Sequence, residues 1–433
     1  MCKRRRFVYL LLFFLVTINY FTRTTLSVAA QPIATEFHLS PIAMGYLLSS
    51  YSWTYLLSLI PVGALVDRFG TLVIAAAGIT LWSAATMATA LSATFGVLLL
   101  TRLITGSGEA TSYPAGMGVV REWAPASERG IATAFLNGGA YAGPALGALL
   151  TGFLVADFGW RWSFFVAGAI GFLWLIPWLW WFRAPERARF LSEPERQMIL
   201  GTRDTPSAQQ GESSSVLQLL GSRVVWGMAL VQGCAVYAQY LFLTWLPSYL
   251  QVAKGLTVKS SGIDTAIPYI ASVFLATYAC HLSDRFLRKG NLERGSRRFA
   301  VALMLVFSSV ILVTPFVDSL WVIILLVTLS LSGVSSAVSL NFALATDVIS
   351  SPRDTGKVAS ILLVGGNAFG LLAPIVTGYV IAATKSYNWA FVVAGLLLIG
   401  GAALAVLMSR PAGCPSGEGR LAAITQGTSN PSG

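Results

Sequence analysis

The stretch FVYLLLFFLVTINYFTRTTLSVAA, residues 7–30, decides how the chain is read. It is long enough to cross a bilayer as a helix, which takes about 20 largely apolar residues. Arg23 nevertheless stands inside it. A charge within a membrane helix costs about 2.5 kcal/mol or more, so a water-filled cavity or a partner must compensate. A secretory leader is the competing reading, because KRRR, an apolar run and SVAA before Gln31 resemble one. Cleavage there would discard Arg23 and break the internal repeat described below. A membrane span is therefore the stronger reading.

The rest of the chain supports it. Of 433 residues 55% are hydrophobic and only 11% are charged, where a soluble domain carries about 25%. The mean hydropathy is +0.70. No soluble fold hides that much apolar surface, so an integral membrane protein is expected. The net charge of +11 does not point to nucleic acid, because the basic residues lie in short loops between apolar runs. Cys2, Cys234, Cys280 and Cys414 are scattered and give neither metal-ligand spacing nor a disulfide framework. His38 and His281 are isolated. No metal or other cofactor is called for. No nucleophile–base pair or phosphate loop appears, so no enzyme is expected.

Twelve apolar segments are predicted to span. Six are 7–30, 42–66, 72–92, 95–119, 131–155 and 161–182. Six more are 224–250, 261–283, 299–316, 320–346, 357–382 and 389–409. The polar stretch 183–222 separates the sets and reads as a cytoplasmic linker. The expected organisation is an N-terminal six-helix half (1–182), that linker, a C-terminal six-helix half (223–409) and a Gly/Ser/Pro-rich disordered tail (410–433). Lys and Arg concentrate in segments on one side; the opposite loops hold only Arg161, Lys254, Lys259 and Lys385. That bias places both termini inside.

The halves repeat. WSFFVAG at 162–168 recurs as WAFVVAG at 389–395, and TGFLV at 151–155 as TGYVI at 377–381. LVDRFG at 65–70 recurs as LSDRFL at 282–287, and APASERG at 124–130 is echoed by SSPRDTG at 350–356. The order is kept at a near-constant offset. An all-α membrane fold of two six-helix halves related by internal duplication follows. In such carriers the site lies near mid-membrane between the halves, and rocking exposes it to each side in turn.

Only three charged residues lie well inside the predicted spans: Arg23, Arg102 and Glu109. Arg102 and Glu109 are seven apart on one helix and share a face. Arg102 could simply snorkel from a helix end, and Arg23 could be a structural partner of Glu109. The functional reading is that two arginines face a wet cavity and bind an anion, most simply an organic acid, through the planar guanidinium. Glu109 is pulled toward neutrality by burial and toward ionisation by arginine, which suits a group that takes up and releases a proton. Tyr20 shares the Arg23 face. Asn137, Gln239 and Asn367 are further polar groups expected at the cavity. Asp67 and Arg68, in GALVDRFG at 63–70, are expected to pair across helix ends and latch one conformation. Glycines 138, 139, 143 and 147, and 365, 366 and 370, allow close helix approach.

These strings resemble the major facilitator superfamily, and within it the anion:cation symporter branch of sugar-acid, phthalate and tartrate transporters. INYFTRTTLSVAA (18–30), EFHLSPIAMGYLLSSYSWTYLLSLIPVGALVDRFG (36–70), RLITGSGEATSYPA (102–115) and FLTWLPSYL (242–250) carry the resemblance. It implies substrate-binding roles for Tyr20, Arg23, Tyr55 and Arg102 and a proton role for Glu109. The branch usually has aspartate just before the first-span arginine; here Thr22 stands there, which bears on proton coupling. GGAYAGPALG at 138–147 is similar instead to a motif of proton-driven drug exporters. The expected function is import of a small organic anion with protons, by a functional monomer in a bacterial inner membrane, with lipid and no nucleic acid as partner. The alternatives are a proton-driven exporter and a non-transporting sensor of the same ligand.

Overall fold

The computed structural model describes residues 5–188, 191–203, 215–289, 296–349 and 354–408. The expected tail 410–433 and part of the predicted linker lie outside the described residues. The described chain is helical: α1 (Arg5–Val28), α2 (Ala30–Glu36), α3 (Pro41–Phe69), α4 (Thr71–Thr89), α5 (Phe95–Glu109), α6 (Ser112–Trp123), α7 (Arg129–Phe158) and α8 (Trp160–Trp181) come first. The short helices α9 (Glu193–Arg203) and α10 (Val216–Leu220) follow, then α11 (Arg223–Val252), α12 (Val258–Lys289), α13 (Arg297–Ser308), α14 (Leu320–Val348), α15 (Thr355–Thr384) and α16 (Asn388–Met408).

Ten helical segments among the described residues are long and apolar enough to cross a membrane, α13 being counted with the 3-10 turns that continue it to Phe316. The two remaining expected spans fall on α3 and on the α5–α6 pair. α3 is 29 residues long, but serines and tyrosines dilute its apolar character. The segment 95–119 is not one helix. It breaks between Glu109 and Ser112, because Pro114 has no N–H to offer the carbonyl of Ala110. The break falls immediately after Glu109. Asn19 of α1 donates to the Glu109 carbonyl (3.4 Å) and to Ser112 Oγ (3.0 Å), so a buried side chain meets backbone at the interruption.

α1 packs along α7 and α11 along α15, while α7 meets α12 and α3 meets α15. A Cβ on Gly139 would come within 2.5 Å of Phe13 O, and one on Gly143 within 2.6 Å of Thr17 O. The glycines of GGAYAGPALG are thus the seat of α1, and packing alone accounts for that string. Two further crossings lie where α3 and α12 begin and α7 and α15 end. A Cβ on Gly45 would meet Pro374 O at 2.6 Å, and one on Gly262 would meet Ala148 O at 2.5 Å. Backbone opposes backbone at both, so neither can yield cheaply. Gly262→Phe is expected to cut uptake at least about fivefold while leaving the protein folded, since overpacking costs about 1–3 kcal/mol and 1.4 kcal/mol is a factor of ten. Wild-type uptake in that variant would show that this crossing need not close.

Polar staples fix the ends of the first helices. At one end, Arg161 donates twice to Glu36 (2.6 and 2.8 Å) and the Trp160 indole once (2.7 Å). These bonds hold the Glu36 carboxyl below the usual carboxylate range. At the other, buried Arg5 makes a two-point bond to Glu128 (2.7 Å each) and reaches Glu195 of α9 at 3.2 Å. The linker helix is thereby tied to the foot of α1.

Candidate substrate site

The site begins with α1. Arg23 is 7% exposed, and its Nε lies 2.7 Å from Glu109 Oε2 on α5. Its guanidinium sits over three rings, Tyr20 at 4.7 Å, Tyr51 at 4.8 Å and Tyr55 at 4.9 Å. Tyr51 and Tyr55 are four apart on α3 and so share a face. Each ring attracts the cation through its π-face, more strongly where water is excluded. The remaining carboxylate oxygen, Glu109 Oε1, lies 2.8 Å from the Thr22 hydroxyl.

Arg102 lies two turns from Glu109 on α5. It is 2% exposed, so it does not snorkel. Its Nη2 donates to Thr89 Oγ1 at 2.6 Å, and its guanidinium lies 5.2 Å from the centre of the Phe164 ring. Among the described residues no carboxylate lies within ion-pair range of it. Arg23, Arg102, Glu109, Tyr51 and Thr105 of the first helices, with Leu243 and Thr244 of α11, line one narrow cavity of about 10 Å³. That is room for about one water. A larger ligand enters only if the helices part. Three buried donors here find no acceptor among the described residues: Arg23 Nη2, Arg102 Nε and Tyr51 Oη. Buried donors of this kind call for an explanation, and an acceptor-rich ligand supplies one.

The second helix set closes the site through α11. Arg23 Nη1 donates to Tyr240 Oη at 3.4 Å, and Tyr240 donates on to Asn367 Oδ1 of α15 at 3.3 Å. The direction is fixed, because a guanidinium cannot accept. One turn along, Ser27 donates to Thr244 O at 2.8 Å. Both α1–α11 contacts join residues 217 apart.

Of the predicted site residues, Tyr20, Arg23, Tyr55, Glu109 and Asn367 therefore form one connected cluster, and Arg102 shares its cavity. Gln239 and Asn137 do not join it. Gln239 is half-buried and, among the described residues, outside the cavity lining; its neighbour Tyr240, about 100° further round the helix, points inward instead. Asn137 is exposed on α7. Asp67 and Arg68 do not pair with each other. Asp67 faces Arg121 of α6 at 3.8 Å, both highly exposed, while Arg68 lies 5.2 Å over the neighbouring Phe69 ring. Residues adjacent on a helix diverge, and an exposed pair at that distance holds little energy. Tyr51, Thr89 and Tyr240 are additions that sequence reasoning missed. For Tyr51 the four-residue spacing to Tyr55 was a usable signal.

The chain matches the Major Facilitator Superfamily over residues 12–350 and 265–427. It is 31% identical to a probable galactarate/D-glucarate transporter of Bacillus subtilis (strain 168) over 94% of this chain and 90% of that one. It is 29% identical to a probable L-galactonate transporter of Escherichia coli (strain K12), covering 93% and 88%. Among solved structures, a bacterial homologue of the human lysosomal transporter Spinster, in an inward-facing and occupied conformation, superposes with a TM-score of 0.77 at 20% identity, over 95% of this chain and 98% of that one.

Proposed function

Because this chain belongs to the Major Facilitator Superfamily, and so is an integral membrane transporter and not an enzyme, we propose that it imports a small organic anion of the sugar-acid class together with protons. One observation carries the proposal. Two buried guanidiniums share a cavity with one carboxylate, and the second, Arg102, has among the described residues only a hydroxyl for a polar partner. An ionised Glu109 leaves the site one positive charge in excess, which an anion balances. The relatives named for galactarate, glucarate and galactonate give the class: carboxylates on a polyol chain. The carboxylate suits the arginines, and the hydroxyls suit the tyrosine phenols and Asn367.

The architecture proposed with it is twelve spans in two duplicated six-helix halves, 1–182 and 223–409, with both termini cytoplasmic. The ten apolar segments, α3, the α5–α6 pair and the matched 217-residue contacts of α1 with α11 support this. Purified protein in liposomes tests the direction. Labelled glucarate should accumulate when the outside is acid, and accumulation only when the inside is acid would make the carrier an exporter.

Glu109 is the one carboxylate of the cluster, and Thr22 cannot titrate. The carrier is expected to move fewer protons per anion than relatives with aspartate at that place. Each proton lost removes about 1.4 kcal/mol of driving force per pH unit and about 2.3 kcal/mol per 100 mV. The reversal potential of glucarate flux at set pH gradients measures this. A stoichiometry equal to that of an aspartate-bearing relative would contradict it.

A further inference from the structure

We propose that Thr22 is a positioning residue for the Glu109 proton: it donates to Glu109 when that carboxyl is ionised and accepts from it when it is neutral. The inference rests on the reading that Glu109 carries the transported proton. It follows from which atoms can donate. Glu109 Oε2 accepts from Arg23 Nε at 2.7 Å, and a guanidinium offers no lone pair in return. A proton arriving on Oε2 would turn it into a poor acceptor for the arginine. Oε1 is free of that constraint and faces Thr22 Oγ1 at 2.8 Å.

Thr22 Oγ1 also lies 2.7 Å from Asn19 O, one turn back on α1. The hydroxyl has one proton and two acceptors within reach. With Glu109 ionised, that proton points at Oε1 in a charge-assisted bond. With Glu109 neutral, Oε1–H donates to Thr22, and Thr22 turns its own proton to Asn19 O, the short-range bond threonine makes readily on a helix. Each state leaves the protons of Thr22 and Glu109 with an acceptor. Glu109 gains its proton from water entering the cavity and returns it there; Thr22 only rotates, and no covalent bond of Thr22 changes. Thr22 is fully buried and Glu109 is 1% exposed, so bulk water is not a standing substitute.

The other groups around the pair cannot take this part. Arg102, on the same helix as Glu109, has no acceptor. The rings of Tyr20 on α1 and of Tyr51 and Tyr55 on α3 lie over Arg23, and Tyr240 on α11 accepts from it. Among the described residues, Thr22 is the one side chain hydrogen-bonded to Oε1. Thr22 therefore has a part of its own beside Glu109.

Infrared difference spectra of the purified full-length protein in lipid, between acid and alkaline pH, test this without a substrate. The carbonyl stretch of neutral Glu109 is identified by its loss in Glu109→Gln. In Thr22→Val, which keeps the shape but not the hydroxyl, that band should move to higher frequency, as a carboxyl without a hydrogen-bond acceptor does. In Thr22→Ser it should stay near the wild-type position. An unmoved band in Thr22→Val, with the band still absent in Glu109→Gln, overturns the role of Thr22 alone. A band that survives in Glu109→Gln overturns the proton reading of Glu109, and this inference with it.

Discussion

Arg23→Ala is expected to abolish transport while the protein still reaches the membrane. Three features of the site set the size of the effect. Arg23 is the ion-pair partner of Glu109, the cation at the centre of three tyrosine rings, and the donor that reaches Tyr240 on the second helix set. Removing one member of a buried pair leaves the other charge uncompensated, at about 3–5 kcal/mol of stability, and losing a buried charged bond to the anion costs about 2–5 kcal/mol, at least about thirtyfold in affinity. Arg23→Lys should also fail, though less completely. An ammonium is a compact point charge and cannot serve Glu109, Tyr240 and an anion from one planar fork. Uptake of labelled glucarate by cells with matched membrane levels measures both. Normal uptake by Arg23→Ala would remove the anion site from α1.

Glu109→Gln is expected to separate exchange from accumulation. Glutamine keeps the shape and can still accept from Arg23, but it cannot gain or lose a proton. Net uptake driven by a pH gradient should cease, a loss of at least about a hundredfold. Exchange of labelled for unlabelled glucarate across a preloaded liposome should persist, because it needs the site to turn over only in its loaded form. The local charge changes as well. Without the carboxylate, both arginines are uncompensated, so an anion should bind at least as well as to the wild type. Concentrative uptake by Glu109→Gln in response to a pH gradient would send the proton through another group.

Much of this was legible in the sequence, because buried charge in an apolar helix is conspicuous. Arg23, Arg102 and Glu109 stood out against spans that otherwise hold charge only near their ends, and the structure brings them to one cavity. The glycine strings were legible for the same kind of reason, since a residue without a side chain inside a span marks close approach. Adjacent-residue choices were not legible. Gln239 and Tyr240 are both polar and both mid-helix, and only the rotation of α11 against α1 decides which meets Arg23. Asn137 failed likewise: α7 turns its glycines, not this asparagine, toward α1. The break after Glu109 lies in GSGEATSYPA, residues 106–115, where small and polar residues and Pro114 marked it, but the length of 95–119 suits a single span and hid it. The pairing of Asp67 with Arg121 depended on how α3 and α6 come together, which no local pattern encodes.

The central claim is that two buried arginines select an anion, and binding to the wild-type protein tests it most directly. Calorimetry should be run with glucarate and with glucitol, which has the same carbon chain and no carboxylate. The account predicts that glucarate binds and that glucitol binds at least about thirtyfold more weakly, since losing a buried charged bond costs about 2–5 kcal/mol. Equal affinity for the two would contradict it.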